Sequence, residues 1–327
     1  MLKIFKIFFL ILVVFFLAFI LYFFTGKAVE NENIIWGVNF SQMQAEKLGL
    51  DWKELYLAIL KDLNVKNIKL HTQWDFVEIE NGKFYFKDID WQINQAEKYN
   101  AKLIYVVGMK TGRWPECHLP NWAKDISKEK QQAEILEYIE KVVLRYKDKK
   151  SIVYWQIENE PLFKFGICPW YDKIFLKKEV ELVKSLDNEK QIVISESGEL
   201  STWIEASKIG DVLGVTLYRK VWTDITSEYG FYWTSIFPPV SYYKKVQLID
   251  QLFNKKVIGV ELQAEPWITK PFTEVSLSEQ EKTMNLSQFR NNIEFAKKTG
   301  INQFYLWGVE WWYFMKEIQN RPEIWNE

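Results

Sequence analysis

Two carboxylates stand at the polar ends of short apolar runs. Glu160 follows Ser151-Ile152-Val153-Tyr154-Trp155-Gln156-Ile157 in a segment that continues Glu158-Asn159-Glu160-Pro161. Glu261 follows Lys256-Val257-Ile258-Gly259-Val260 and leads into Leu262-Gln263-Ala264-Glu265-Pro266-Trp267. Each run has the length and composition of a buried strand passing into a loop. Parallel barrels carry their chemistry on that edge, where strand carboxyl ends meet solvent. A pair of carboxylates brought there from different strands can divide glycosidic bond cleavage, one as acid and one as nucleophile.

Such a pair works only if the rest of the chain holds it. From residue 34 onward, β-type apolar runs alternate with charged amphipathic stretches. Strands are predicted over Ile34–Phe40, Asn67–Gln73, Leu103–Met109, Ile152–Ile157, Gln191–Ser195, Val212–Leu217, Val257–Glu261 and Gln303–Gly308. Helices are predicted over Trp52–Leu63, Ile89–Tyr99, Lys130–Tyr146, Ile174–Leu186, Tyr243–Phe253 and Leu286–Lys298. Eight buried strands with intervening helices imply a parallel sheet closed into a (β/α)8 TIM barrel. An open doubly wound sheet would normally show a Gly-rich first turn, which is missing. Glu160 then closes the fourth strand and Glu261 the seventh, three β/α units of roughly 30 to 35 residues apart and across the barrel mouth. Their carboxyl groups are expected within about 5 to 5.5 Å, the separation of a retaining pair.

Strand alternation adds two expectations. Glu158 shares a face with Glu160 and, sitting deeper, should anchor a polar network inside the barrel. Asn159 points the other way, so a local bulge or twist must bring it to the site with Glu160. Glu265 comes after the chain has left the strand, so Glu261, fixed by the barrel wall, is the expected nucleophile.

Composition removes other classes. Balanced charge, 42 Lys+Arg against 43 Asp+Glu, gives no basic footprint for nucleic acid. His71 and His118 are the only histidines, which argues against a His-rich metal centre. Neither a G-x-S-x-G elbow nor a phosphate-binding loop can be read. Metal-free and cofactor-free acid–base chemistry is what remains, and the carboxylate pair makes an oligo- or polysaccharide the expected substrate. Aromatic residues crowd between Tyr218 and Tyr243 (Trp222, Tyr229, Phe231, Tyr232, Trp233, Phe237, Tyr242, Tyr243), a long loop whose rings could wall oligosaccharide subsites or form a satellite apolar cluster. In the run Trp311-Trp312-Tyr313, at least one ring must be core.

The N-terminus is of a different kind. Ile7 to Phe24 is an unbroken apolar run after Lys3 and Lys6, approaching the length of a bilayer span. No A-x-A cleavage pattern follows, so residues 1–26 are expected to be a signal-anchor with the remainder outside, a cleaved signal being the alternative. Residues 27–33 read as a stalk and 34–327 as the catalytic domain.

With these residues in hand, the chain resembles the clan A retaining glycoside hydrolases, (β/α)8 enzymes with an Asn-Glu pair on strand four and a Glu on strand seven. Asn159-Glu160-Pro161 and Glu261 match those motifs. The segment from Leu70 to Gly82 resembles the strand-two region, while Arg113-Trp114-Pro115 and Leu306-Trp307-Gly308 fall where the strand-three loop and the strand-eight Trp lie. The resemblance implies Glu160 as acid/base and Glu261 as nucleophile. It further implies Asn159 on the sugar 2-hydroxyl, Tyr218 on the nucleophile, and Trp307 as a stacking floor. His71 is open between sugar contact and a satisfied barrel histidine, and Trp114 and Trp267 are expected to line the substrate. The resemblance also implies a cis Trp307–Gly308 bond. Strand two departs from the pattern, offering Lys69 and His71 where an Arg is common, which leaves open what supports the nucleophile. Other functions that keep the same scaffold are an inactive carbohydrate-binding barrel and a transglycosylase of envelope glycans. Cys117 and Cys168, in loops after neighbouring strands, are expected to pair in an oxidising exterior.

Overall fold

The computed structural model describes residues 2–223, 228–231 and 237–327. Its strands are β1 (Ile35–Phe40), β2 (Asn67–His71), β3 (Lys102–Val107), β4 (Ile152–Ile157), β5 (Gln191–Ser197), β6 (Val212–Leu217), β7 (Lys220–Thr223), β8 (Glu228–Phe231), β9 (Val257–Gln263) and β10 (Gln303–Trp307). Its helices are α1 (Leu2–Phe24), α2 (Gln42–Lys47), α3 (Trp52–Lys61), α4 (Trp74–Val77), α5 (Lys87–Lys98), α6 (Lys128–Tyr146), α7 (Lys173–Leu186), α8 (Ile204–Ile209), α9 (Pro239–Phe253), α10 (Leu277–Gln280), α11 (Leu286–Ala296) and α12 (Val309–Glu317).

Eight strands close a parallel barrel in the order β1-β10-β9-β6-β5-β4-β3-β2. The chain is therefore a (β/α)8 TIM barrel, with β9 and β10 as its seventh and eighth strands. Each barrel strand lies within two residues of its sequence-predicted bounds at either end. Strands covered on both faces read as continuous apolar runs, and this made them legible. Inside, Ile104, Val193, Val212, Ile258, Val260 and Tyr305 pack together; a larger apolar layer fills the space between barrel and helices. Trp311 and Trp312 belong to that outer layer. Helix starts carry side-chain caps: Asp51 accepts from the amides of Lys53 and Glu54, and Asp172 from those of Ile174 and Phe175.

The long segment after β6 holds more structure than its sequence suggests. Lys220–Thr223 and Glu228–Phe231 form an antiparallel hairpin. Tyr242 and Tyr243 lie on α9, and Tyr242 is buried against Trp203 and Phe295 in the outer layer, so it lines no subsite wall. Tyr232 and Trp233 lie outside the described residues, as do the side chains of Tyr229 and Phe231.

Among the described residues, one helix, α1, is long and apolar enough to cross a membrane, with a mean hydropathy of 3.2 over Ile4–Phe24. The segment after it docks on the end of α11: the Asn31 amide donates to the Lys297 carbonyl at 2.9 Å and Glu32 pairs with Lys297 at 3.0 Å.

Candidate active site

The fourth strand delivers its carboxylates through an irregular exit. Glu158 and Glu160 both adopt left-handed backbone, at φ 58° and 47°. This breaks the alternation and brings Asn159 and Glu160 to the mouth together, as the sequence required. The price falls on Glu158, whose expected place inside the barrel is wrong. It turns outward, where its carboxyl accepts the Met109 and Lys110 amides and hydrogen-bonds Glu179 on α7. Burial and the adjacent Glu158 raise the Glu179 pKa well above the usual carboxyl range. Gly108 makes the approach possible: at φ +120°, a Cβ there would meet Glu158 Oε1 at 2.5 Å.

Glu160 is buried, and its amide donates to Ser195 Oγ at 2.8 Å. Thr216 Oγ1 donates to Glu160 Oε1 at 2.7 Å. Lys110 Nζ ties the loop, donating to the carbonyls of Glu160 and Phe163 at 3.0 and 2.8 Å. Burial first, then repulsion from Glu261, pushes the Glu160 pKa up to about 8. A carboxyl in that condition is protonated at neutral pH and can donate its proton.

Glu261 owes its aim to a bulge. Val215 pairs with Gly259 but Thr216 with Glu261, leaving Val260 as an extra residue, and the β9–β10 register shifts at the same place. Ile258 and Val260 face the barrel interior. Alternation alone would turn Glu261 away; the extra residue turns it in. Lys69 Nζ lies 2.9 Å from its Oε1 and Tyr218 Oη donates to its Oε2 at 2.7 Å. Each oxygen thus has one donor. Lys69 also donates to Asn159 Oδ1 at 3.2 Å, linking the second, fourth and seventh strands. The support that a strand-two Arg would give is supplied here by Lys69, a charged residue two positions before His71 in an apolar strand.

His71 is closed in on both ring nitrogens. Nδ1 hydrogen-bonds the Thr111 carbonyl, and Nε2 lies 3.2 Å from Asn39 Oδ1. Burial, then the nearby Lys69, holds its pKa well below the ordinary histidine value. Its ring meets Trp307 edge-on at 5.3 Å. Trp307 is mostly buried, and the Arg113 guanidinium lies 4.1 Å from its ring centroid. Arg113 in turn pairs with Glu265 and, at 2.6 Å, with Glu310. Glu265 therefore belongs to a buried charge cluster behind Trp307, whereas Glu261 faces Lys69 and Tyr218. The expected cis bond at Trp307–Gly308 is absent: the cis peptide among the described residues is Trp114–Pro115. The turn after β10 is made instead by Gly308 at φ +140°, packed so closely that a Cβ would meet that of Glu265 at 2.6 Å.

Aromatic rings line one side. Trp267 meets Tyr218 edge-on at 5.3 Å, Phe165 lies 6.2 Å from Trp267, and the exposed Trp114 lies 6.2 Å from Phe165. The Cys117–Cys168 disulfide is present, with Cα atoms 5.2 Å apart, and staples the loops that carry Trp114 and Phe165. Sequence reasoning missed Glu116, a third buried carboxyl beside the pair, its pKa raised by burial and by Glu261 against the pull of Lys110. It also missed Ser195, Thr216 and Glu310. Ser195 and Thr216 are ordinary polar residues near the ends of β5 and β6, and Glu310 lies in the first turn of α12; only closure of the barrel brings them together. Among the described residues, no cluster of His, Cys, Asp and Glu could hold a metal ion.

The model of glycosyl hydrolase family 10 matches residues 28–178, a little under half of the chain, including Asn159 and Glu160. Xylanase 10B from Thermotoga petrophila RKU-1, solved with xylobiose, is 13% identical with a TM-score of 0.53, covering 84% of this chain and 82% of its own. A family 5 subfamily 18 protein from Bifidobacterium longum subsp. longum ATCC 55813, solved with Manβ1-4GlcNAc, gives 11% identity and a TM-score of 0.59, covering 84% of this chain and 68% of its own. The β-galactosidase of Marinomonas ef1 gives 10% and 0.53, over 84% of this chain and 54% of its own. No curated protein matches the sequence. The chain is a glycoside hydrolase. Its barrel and the match over residues 28–178 make it similar to the clan A enzymes.

Proposed function

We propose that the protein hydrolyses β-linked glycans with retention of configuration, Glu261 acting as nucleophile and Glu160 as acid and then base. The unequal environments of the two carboxyls carry this reading: Glu160 is buried with its pKa pushed up to about 8, while Glu261 receives a donor on each oxygen. Glu261 attacks the anomeric carbon as Glu160 passes its proton to the departing oxygen. Glu160, now ionised, takes a proton from water, which attacks the same carbon and releases Glu261. The retaining reading calls for carboxyl oxygens about 5 to 5.5 Å apart.

Asn159, tied to Lys69, is suited to the sugar 2-hydroxyl, and Trp307 to the apolar face of a pyranose. Trp114 and Trp267 extend an aromatic wall for further sugar units. His71, with both nitrogens engaged, serves better as a prop for Trp307 than as a sugar contact. The structural relatives were solved with, or are named for, β-linked sugars, which supports that substrate class. Helix α1 is read as a membrane anchor with the barrel outside the cell and residues 27–33 as a linking segment. A panel of aryl β-glycosides and β-glycans, with the first-formed anomer followed by NMR, tests the reaction. Retained β product is expected; the inverted anomer would overturn the mechanism.

A further inference from the structure

The anchor meets the barrel at its mouth end. Helix α9 connects β6 to β9, so it starts at the face where barrel strands end and runs back to the opposite face. Phe24, the last residue of α1, lies 5.8 Å from Phe237, two residues before α9 begins. Tyr22 sits 5.0 Å from Lys244 Nζ in the first half of α9. The chain then descends to the far end of α11, where Asn31 is held by Lys297. A spanning helix has its end at the lipid–water boundary, and Tyr beside Lys is the side-chain pairing favoured there.

Neighbouring loops on this face carry exposed apolar side chains. Leu200 follows β5 and is 47% exposed; Ile174 opens α7 and is 72% exposed. The Leu200 loop is fastened to α9, because Tyr242 Oη donates to Glu199 at 2.8 Å and Lys245 Nζ to the Gly198 carbonyl at 2.8 Å. Ile174 is tied in beside it through the Lys173–Glu205 pair, which joins α7 to α8. Leu200, Ile174 and the α1–α9 junction thus belong to one side of the mouth.

We propose that this side of the mouth rests on the phospholipid bilayer, so that the active site opens beside the membrane surface and takes glycans presented there. This rests on reading α1 as a spanning anchor. The mouth is then fixed to within a few side chains of the headgroups by the Phe24–Phe237 contact, and the exposed Leu200 and Ile174 lie against the interface rather than in bulk water.

Single thiols test it in the full chain reconstituted in phosphatidylcholine–phosphatidylglycerol vesicles, with a bimane label on Leu200→Cys or, as the distant reference, Leu144→Cys. Leu144 is 45% exposed near the end of α6, at the opposite face. Brominated lipids should quench the label at 200 several-fold more strongly than at 144. Equal quenching, with α1 resisting alkaline carbonate extraction, would overturn the proposal and leave the anchor standing. Release of the protein by carbonate would remove the anchor reading and the proposal together.

Discussion

Lys69 and Glu261 form an ion pair of 2.9 Å inside the barrel, with side chains 0% and 3% exposed. Lys69 also reaches Asn159, and Glu261 also accepts from Tyr218. One cation therefore fixes both Glu261, the proposed nucleophile, and Asn159, the neighbour of the proposed acid. Breaking a buried pair from one side leaves the other charge without compensation, at a cost of about 3–5 kcal/mol. Lys69→Met is expected to lower stability by that amount in urea unfolding and to reduce kcat at least a hundredfold. A fold as stable and active as the wild type would show that the pair is idle.

Tyr218 makes a single hydrogen bond to a charged oxygen, a class of contact with a net value of about 1.5–3 kcal/mol. Tyr218→Phe keeps the ring against Trp267 and removes only that bond. Stability is expected to fall by about that amount, and kcat/KM, at 1.36 kcal/mol per decade, roughly ten- to a hundredfold. Steady-state kinetics beside thermal melts separate the two effects.

As the proposed acid, Glu160 is expected to set the alkaline side of the pH profile. Its folded pKa of about 8 lies above the ordinary carboxyl value of 4.5, through burial and then Glu261. Between those values the folded chain holds a proton that the unfolded chain has released. The contribution to stability is full below 4.5 and is lost as pH rises through 8. Activity should accordingly fall above pH 8 in the free enzyme. Glu160→Gln should abolish general acid catalysis and flatten the stability slope across that window. An unchanged slope would show that another group titrates there.

The Cys117–Cys168 bond closes a loop with a sequence separation of 51, for which loop entropy predicts about 4 kcal/mol of stabilisation. Replacing both cysteines by Ala should lower stability by about that much. It should also raise KM more than it lowers kcat, because the stapled loops carry Trp114 and Phe165 rather than the carboxylates.

The fold was readable because parallel strands buried on both faces appear as unbroken apolar runs, each closed by a polar residue. The proposed roles of Glu160 and Glu261 were suggested by position at strand ends, and those of Asn159 and Tyr218 by the resemblance to clan A glycoside hydrolases. What escaped was local backbone geometry. Period-two alternation sends Glu158 inward and Glu261 outward; left-handed φ at Glu158 and the extra Val260 reverse both. The Arg113–Glu265–Glu310 cluster joins three distant segments, so no window of sequence contains it. The β7–β8 hairpin was hidden by aromatic residues that carry no turn signal. Lys69 was the most legible of the unexplained residues: a lysine in the middle of Asn67-Ile68-Lys69-Leu70-His71 has to be paired once it is buried.

Which strand-seven carboxylate attacks the sugar can be read directly. A 2-deoxy-2-fluoro glycoside with a good leaving group, chosen from the sugar that the panel identifies, should trap the covalent intermediate for peptide mass spectrometry. The adduct is expected on Glu261. Glu261→Ala should be inactive with partial rescue by azide, while Glu265→Ala should turn over with a raised KM because it loosens Arg113 behind Trp307. An adduct on Glu265, or loss of all turnover in Glu265→Ala with Glu261→Ala still active, would contradict the assignment.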